Sequence, residues 1–279
     1  MNLKFLVNDY VLIWNLLFQA SVSEKIHKLK QKLWVNYKLE YNNTFHDKDY
    51  ILQDYKNFIP NDDLIYNIVM ETKDYEKIKK DTEKYRNDLL RKWDKNKKEI
   101  KKELKDILRF SIDDYKVLVV YDLLNVVDTT IIKDQKENVI VFGKQIDSSD
   151  PNKIVVDLVY QIVRRETRKY QGKYKNLVKA IVELAVLNEF STRIHKRSCY
   201  LTGSAALDDI KRQIYPYWLM YLGATKEEML EYMMRDKIAF DMDKYTYEKQ
   251  LSKVDLIEFI NFCIRNQRHI IKVNRLEVL

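Results

Sequence analysis

The sequence is poor in glycine, proline, cysteine and histidine, and each shortage excludes something. Four glycines (Gly143, Gly172, Gly203, Gly223) occur in 279 residues, none near another. A glycine-rich phosphate cradle of the Walker or dinucleotide-binding type is therefore ruled out. Two cysteines, Cys199 and Cys263, make neither a disulfide framework nor a four-thiolate zinc site, and they fit a reducing, cytoplasmic setting. Four histidines argue against a histidine-rich catalytic centre. A long uncharged apolar run is also missing. The most apolar stretch, Leu3 to Ala20, contains Lys4, Asn8, Asp9 and Asn15. It reads as neither a membrane span nor a signal peptide. It is expected to be a core helix with Leu6, Tyr10, Ile13 and Leu17 on one face.

What is present is 46% hydrophobic and 33% charged residues, enough apolar side chain for a genuine core. The periodicity predicts a mainly α protein with a small β-sheet (α+β): a helical N-terminal half, two or three strands, and a helical C-terminal half. Residues 1–110 form the helical region, and 111–279 hold the sheet and the remaining helices, the two packed as one compact unit. Ser21 to Glu24 has capping-box form and opens a helix to about Glu40. Asn42-Asn43 marks a loop, a short helix covers about 47–57, and Pro60-Asn61-Asp62 opens another. Residues 73–109 read as one long helix. Its apolar positions Tyr75, Ile78, Tyr85, Leu89, Trp93, Ile100, Leu104 and Ile107 form a narrow seam, either laid over its own domain or paired with a partner helix.

Three β-branched runs follow: Val117–Val120, Asn125–Ile132 and Asn138–Phe142, with a polar turn at Lys133–Glu137. Asp150 and Pro151 then suit the cap and first position of a helix to about Tyr170. A second helix is expected from Tyr174 to Arg197, a third from Ala205 to Leu222 interrupted at Pro216, another after the capping box Thr225–Glu228, and a last one capped by Ser252.

The net charge is +8, from 50 Lys+Arg against 42 Asp+Glu, and five of the eight fall in residues 71–109. A basic helix there, with Lys79, Lys80, Arg91, Lys95, Lys98, Lys101, Lys102 and Lys105, suits nucleic acid through counterion release. Its acids are heavily interleaved, however, and lysine-rich composition alone accounts for the excess.

The order long helix, small sheet, helix 151–170, helix 174–197 resembles the zincin metallopeptidases over residues 115–200. In these a small sheet precedes a helix carrying His-Glu-x-x-His, and the next helix supplies a third zinc ligand, a glutamate in the gluzincin branch. The motif is absent here. Asp157 and Gln161 stand at the histidine positions, four apart on one helix face, with Tyr160 between them and Leu158 at the general-base position. Glu183 follows Gln161 by 22 residues, as the gluzincin ligand would. A carboxamide is a poor zinc ligand and leucine accepts no proton. The resemblance thus implies a peptidase scaffold without catalytic residues, metal or cofactor, which binds a peptide or protein.

The alternative is an ordinary helical hairpin, with Ile154, Leu158, Val159 and Ile162 facing the core, Asp157 and Gln161 on an exposed or boundary stripe, and Glu183 paired to a nearby Lys or Arg. His195 and Cys199, four apart, read as an inert pair. Asp113-Asp114, Asp208-Asp209, and Asp241 with Asp243 read as caps and turns rather than cation sites. Tyr215, Tyr217, Trp218 and Tyr221 form either a core wall or one side of a groove facing 151–170. Three functions remain open: a non-cleaving zincin-like binding protein, a nucleic-acid-binding protein, and a scaffold or immunity-type interaction protein.

Overall fold

Residues 3–6 form a strand, not the start of a helix. The computed structural model describes residues 1–19, 21–44, 64–122, 138–144, 150–236, 240, 243 and 248–271. Its chain divides into two compact units, Met1–Lys97 with Asp113–Val155, and Lys98–Ile112 with Val156–Leu279. The N-terminal strand belongs to the sheet of the first unit, and residues 98–112 group with the C-terminal helices.

In the first unit β1 (Leu3–Leu6), β2 (Tyr115–Asp122) and β3 (Val139–Lys144) form a three-stranded sheet in that order, parallel throughout. Leu3 lies opposite Tyr115, and Val117 opposite Ile140. A parallel sheet is covered on both faces, which is why Val117–Val120 is a continuous apolar run and wholly buried. β1 is four residues long and its partner lies over a hundred residues away, so no local pattern announces it. The helix begins only at α1 (Asp9–Phe18), where the Asn8 side chain accepts a hydrogen bond from the Val11 amide at 3.0 Å. Tyr10, Ile13 and Leu17 are buried as expected, whereas Leu6 sits in β1.

Ser21 does not cap α2 (Glu24–Asn36). Its hydroxyl donates to Asp122 Oδ2 at 2.5 Å and accepts from the Ser23 amide, and Ser23 stands at the N-cap without a side-chain bond. Asn42 and Asn43, expected in a loop, lie in α3 (Lys38–Thr44), which is followed by α4 (Leu64–Met70). The expected helix at 47–57, the Pro60–Asp62 opening, the Asn125–Ile132 run, the Lys133–Glu137 turn and Asp241 lie outside the described residues.

α5 (Lys73–Leu108) is continuous over 36 residues and contributes to both units. Seven of its eight seam residues are buried and Tyr85 is half-buried, so the apolar stripe is consumed within the chain.

α6 (Pro151–Glu166) starts in the first unit and runs into the second, and it carries the expected N-terminal signal: Asp150 accepts from the Asn152 amide at 2.9 Å. After two 3₁₀ turns come α7 (Lys175–Val182), a π-helical segment (Glu183–Phe190) and α8 (Ser191–His195). This helix stops two residues before Arg197, where Lys196 turns left-handed (φ 54°). α9 (Asp208–Leu222) runs through Pro216 without interruption, because buried Tyr215, Tyr217 and Trp218 anchor the helix on both sides of it. α10 (Lys226–Asp236) has its capping box: Thr225 Oγ accepts from the Glu228 amide at 3.2 Å and Glu228 accepts from the Thr225 amide at 2.8 Å. α11 (Leu256–Arg265) is capped by Asp255, not Ser252, and a short α12 (Gln267–Ile270) follows. No helix among the described residues is long and apolar enough to cross a membrane.

Candidate functional site

The π-helical segment widens the helix at Glu183 and turns that side chain into the interior of the second unit. π-segments cost regular hydrogen bonding and concentrate at functional positions. Glu183 is 1% exposed and is met by Lys211 of α9, which is 0% exposed. The Lys211 ammonium lies 3.1 Å from Glu183 Oε2 and 2.8 Å from Asp208 Oδ1, and donates to the Thr202 carbonyl at 3.2 Å. The Ser204 amide donates to Glu183 Oε2 at 3.0 Å, and the Tyr160 hydroxyl reaches Oε1 at 3.4 Å. Burial first, and the Glu183 charge second, push the Tyr160 phenol well above its usual value, which keeps it a donor.

Gly203 permits this approach. A Cβ there would stand 2.4 Å from Glu183 Oε2, and its φ of 114° is one that side-chain-bearing residues avoid.

Two of the four sequence-chosen residues therefore meet, Tyr160 and Glu183. Asp157 is half-buried, and its charge adds to the upward shift of the Tyr160 phenol. Gln161 is not on an exposed or boundary stripe. It is 1% exposed, and neither amide atom has a hydrogen-bond partner among the described residues. Ile154, Leu158, Val159 and Ile162 are buried. Among the described residues no group of three or more His, Cys, Asp and Glu is placed to hold a metal.

Sequence reasoning missed Lys211. The signal was present: Leu207, Lys211, Ile214 and Trp218 recur at helical spacing, and the other three are buried, so Lys211 occupies a core position. Asn188 was missed as well. It donates to the Glu183 and Thr202 carbonyls at 2.9 and 3.1 Å and accepts from the Leu201 amide at 2.5 Å, clamping loop 196–204 to the π-segment.

Beside this clamp lies a cleft of about 430 Å³, lined by Asn188, Arg193, Lys196, Arg197, Tyr200, Tyr215, Trp218, Tyr232 and Arg235 among others. No residue of α6 lines it. Of the aromatic wall, Tyr215 and Trp218 reach the cleft, while Tyr217, Trp218 and Tyr221 pack with Phe259 and Phe262 in the core.

His195 and Cys199 do not share a helix strip. His195 Nδ1 contacts the Ser191 carbonyl at 2.8 Å, and Cys199 lies beyond the left-handed Lys196. Asp114 bonds Asn2, and Asp208 pairs with Lys211. On α5 several of the basic residues are already engaged: Lys79 with Asp9, Lys80 with Glu76, Arg91 with Asp88 and Lys102 with Glu103.

Comparison with protein-family models, with curated proteins and with solved structures returns no match. The zincin resemblance therefore rests on element order and residue spacing.

Proposed function

We propose that this is a cytoplasmic, zincin-like protein that binds a peptide or protein partner without cleaving it. The observation that carries the binding reading is the cleft beside the Asn188 clamp, while the Lys211 ammonium seated on Glu183, the pairing that the ordinary helical hairpin also expects, bears on the absence of cleavage. A gluzincin would direct that carboxylate at zinc. Here one carboxylate oxygen faces a fixed positive charge supplied by the chain, and the other accepts from Tyr160. A carboxylate held in this way is already matched by a cation of the chain itself, where a gluzincin carboxylate would meet zinc. What remains useful on such a scaffold is surface that can grip a chain, and the cleft of the second unit, within the size range of ligand sites, supplies it.

Fluorescein-labelled casein, a largely unstructured substrate, tests the reading when mixed with purified protein dialysed against zinc. Anisotropy should rise on saturable binding, the labelled chain should remain intact on gels, and metal analysis should find far less than one zinc per chain. Cleavage, stoichiometric zinc, or no binding at all would each overturn it.

A further inference from the structure

The cleft of the second unit has a chemical bias that the reading above does not specify. Its rim carries Arg193, Lys196, Arg197 and Arg235 against one lining acid, Glu189. Arg193 is neutralised locally: it bonds Glu189 at 2.7 Å and Glu103 at 3.0 Å. Lys196 and Arg197 are exposed and make no ion pair among the described residues, so their charge faces the opening.

Between the cations stand aromatic faces. Tyr200 and Tyr215 have centroids 4.5 Å apart, Tyr215 meets Tyr232 edge-on at 6.4 Å, and the Arg235 guanidinium lies 4.7 Å from the Tyr232 ring centre. Cations alternating with π-faces select ligands that pair negative charge with planar or apolar groups.

The walls are built before a ligand arrives. Lys196 and Leu201 hold left-handed backbone (φ 54° and 57°), a conformation that costs side-chain-bearing residues energy. Two Asn188 bonds, to the Thr202 carbonyl and from the Leu201 amide, the Thr202 hydroxyl donating to the Leu187 carbonyl at 2.6 Å, and the Cys199 amide donating to Thr192 Oγ at 2.9 Å keep the loop there. A fixed wall loses little entropy on binding.

We infer that the cleft between loop 196–204 and helices α9 and α10 docks an acidic peptide segment bearing an aromatic residue, with Lys196 and Arg197 pairing its carboxylates and the Tyr200–Tyr215–Tyr232 wall taking its aromatic side chain. This rests on the peptide-binding reading. Charge complementarity decides for an acidic chain over a basic or neutral one, since rim charges steer encounter and reject like charge.

The test uses full-length protein and three labelled probes of equal length: a Glu/Tyr peptide, a Lys/Tyr peptide and a single-stranded oligonucleotide. The Glu/Tyr peptide should bind at least tenfold more tightly than the other two, and Lys196→Glu with Arg197→Glu should weaken it at least tenfold with an unchanged melting temperature. Tighter binding of the oligonucleotide would overturn the inference in favour of a nucleic-acid site. Equal binding of both peptides, unaffected by the double variant, would overturn it while leaving peptide binding intact. If casein and both peptides all fail to bind, both readings fall together.

Discussion

Lys211 and Glu183 illustrate how an internal ion pair binds its neighbourhood together without being a large source of stability. Desolvating two charges costs several kcal/mol, roughly balanced by their attraction and by the surrounding hydrogen bonds. Removing one partner is different, because the other is left charged and buried. Lys211→Met is expected to cost about 3–5 kcal/mol in urea unfolding, and adding Glu183→Gln should restore part of that loss, since a neutral amide no longer needs the ammonium. A double variant whose loss equals the sum of the separate Lys211→Met and Glu183→Gln losses would mean that the pair does not couple. The same site explains why Lys211 escaped notice: a lysine at a core position looks, in sequence, like one more member of a lysine-rich surface. Gln161 was equally opaque, because a polar residue at a helical boundary can rotate to either side, and only packing decided that it turned inward.

At the scale of elements, the long helix was legible in detail. Seam residues Ile78, Leu89, Trp93, Ile100, Leu104 and Ile107 are separated by the turns of α5 itself, so their common burial follows from local geometry. Helix starts were legible only where cap and capped amide are close in sequence and no distant group competes. Thr225 with Glu228 satisfies this. Ser21 does not, because Asp122, at the end of β2, takes its hydroxyl. Similarly, Asp255 caps α11 while the Ser252 hydroxyl bonds the Lys249 carbonyl. Thr225→Ala and Asp255→Ala should each cost about 1 kcal/mol, and Ser252→Ala less than about 0.5 kcal/mol, as read from denaturation midpoints at constant slope. A Ser252 loss as large as that of Asp255 would contradict the assignment of the cap.

At the scale of the whole molecule, chain order and spatial order part company. β1 is the first element and pairs with β2, a hundred residues later, while α5 and α6 each contribute to both units. Deleting residues 1–7 would expose one edge of β2, whose apolar run is suited to pairing with any other chain. The amides of Tyr115 and Val117, which face β1, should then exchange hydrogen far faster while that of Lys116, bonded to Asn138, stays protected, and the protein should self-associate as its concentration rises. Full protection in the truncated chain would show that β1 is dispensable to the sheet.

Composition and local periodicity determined the class of this protein: helix-rich, with a small sheet and no glycine cradle, because those properties depend on residues a few positions apart. Tertiary structure alone decided the parallel pairing of β1, the burial of Lys211 against Glu183, and the gathering of loop 196–204 with Tyr215 and Tyr232 into a cationic cleft. Each of these joins residues distant in the chain through contacts whose partners no local pattern specifies. Their energies arise from desolvation and packing, which exist only once the chain has closed around them.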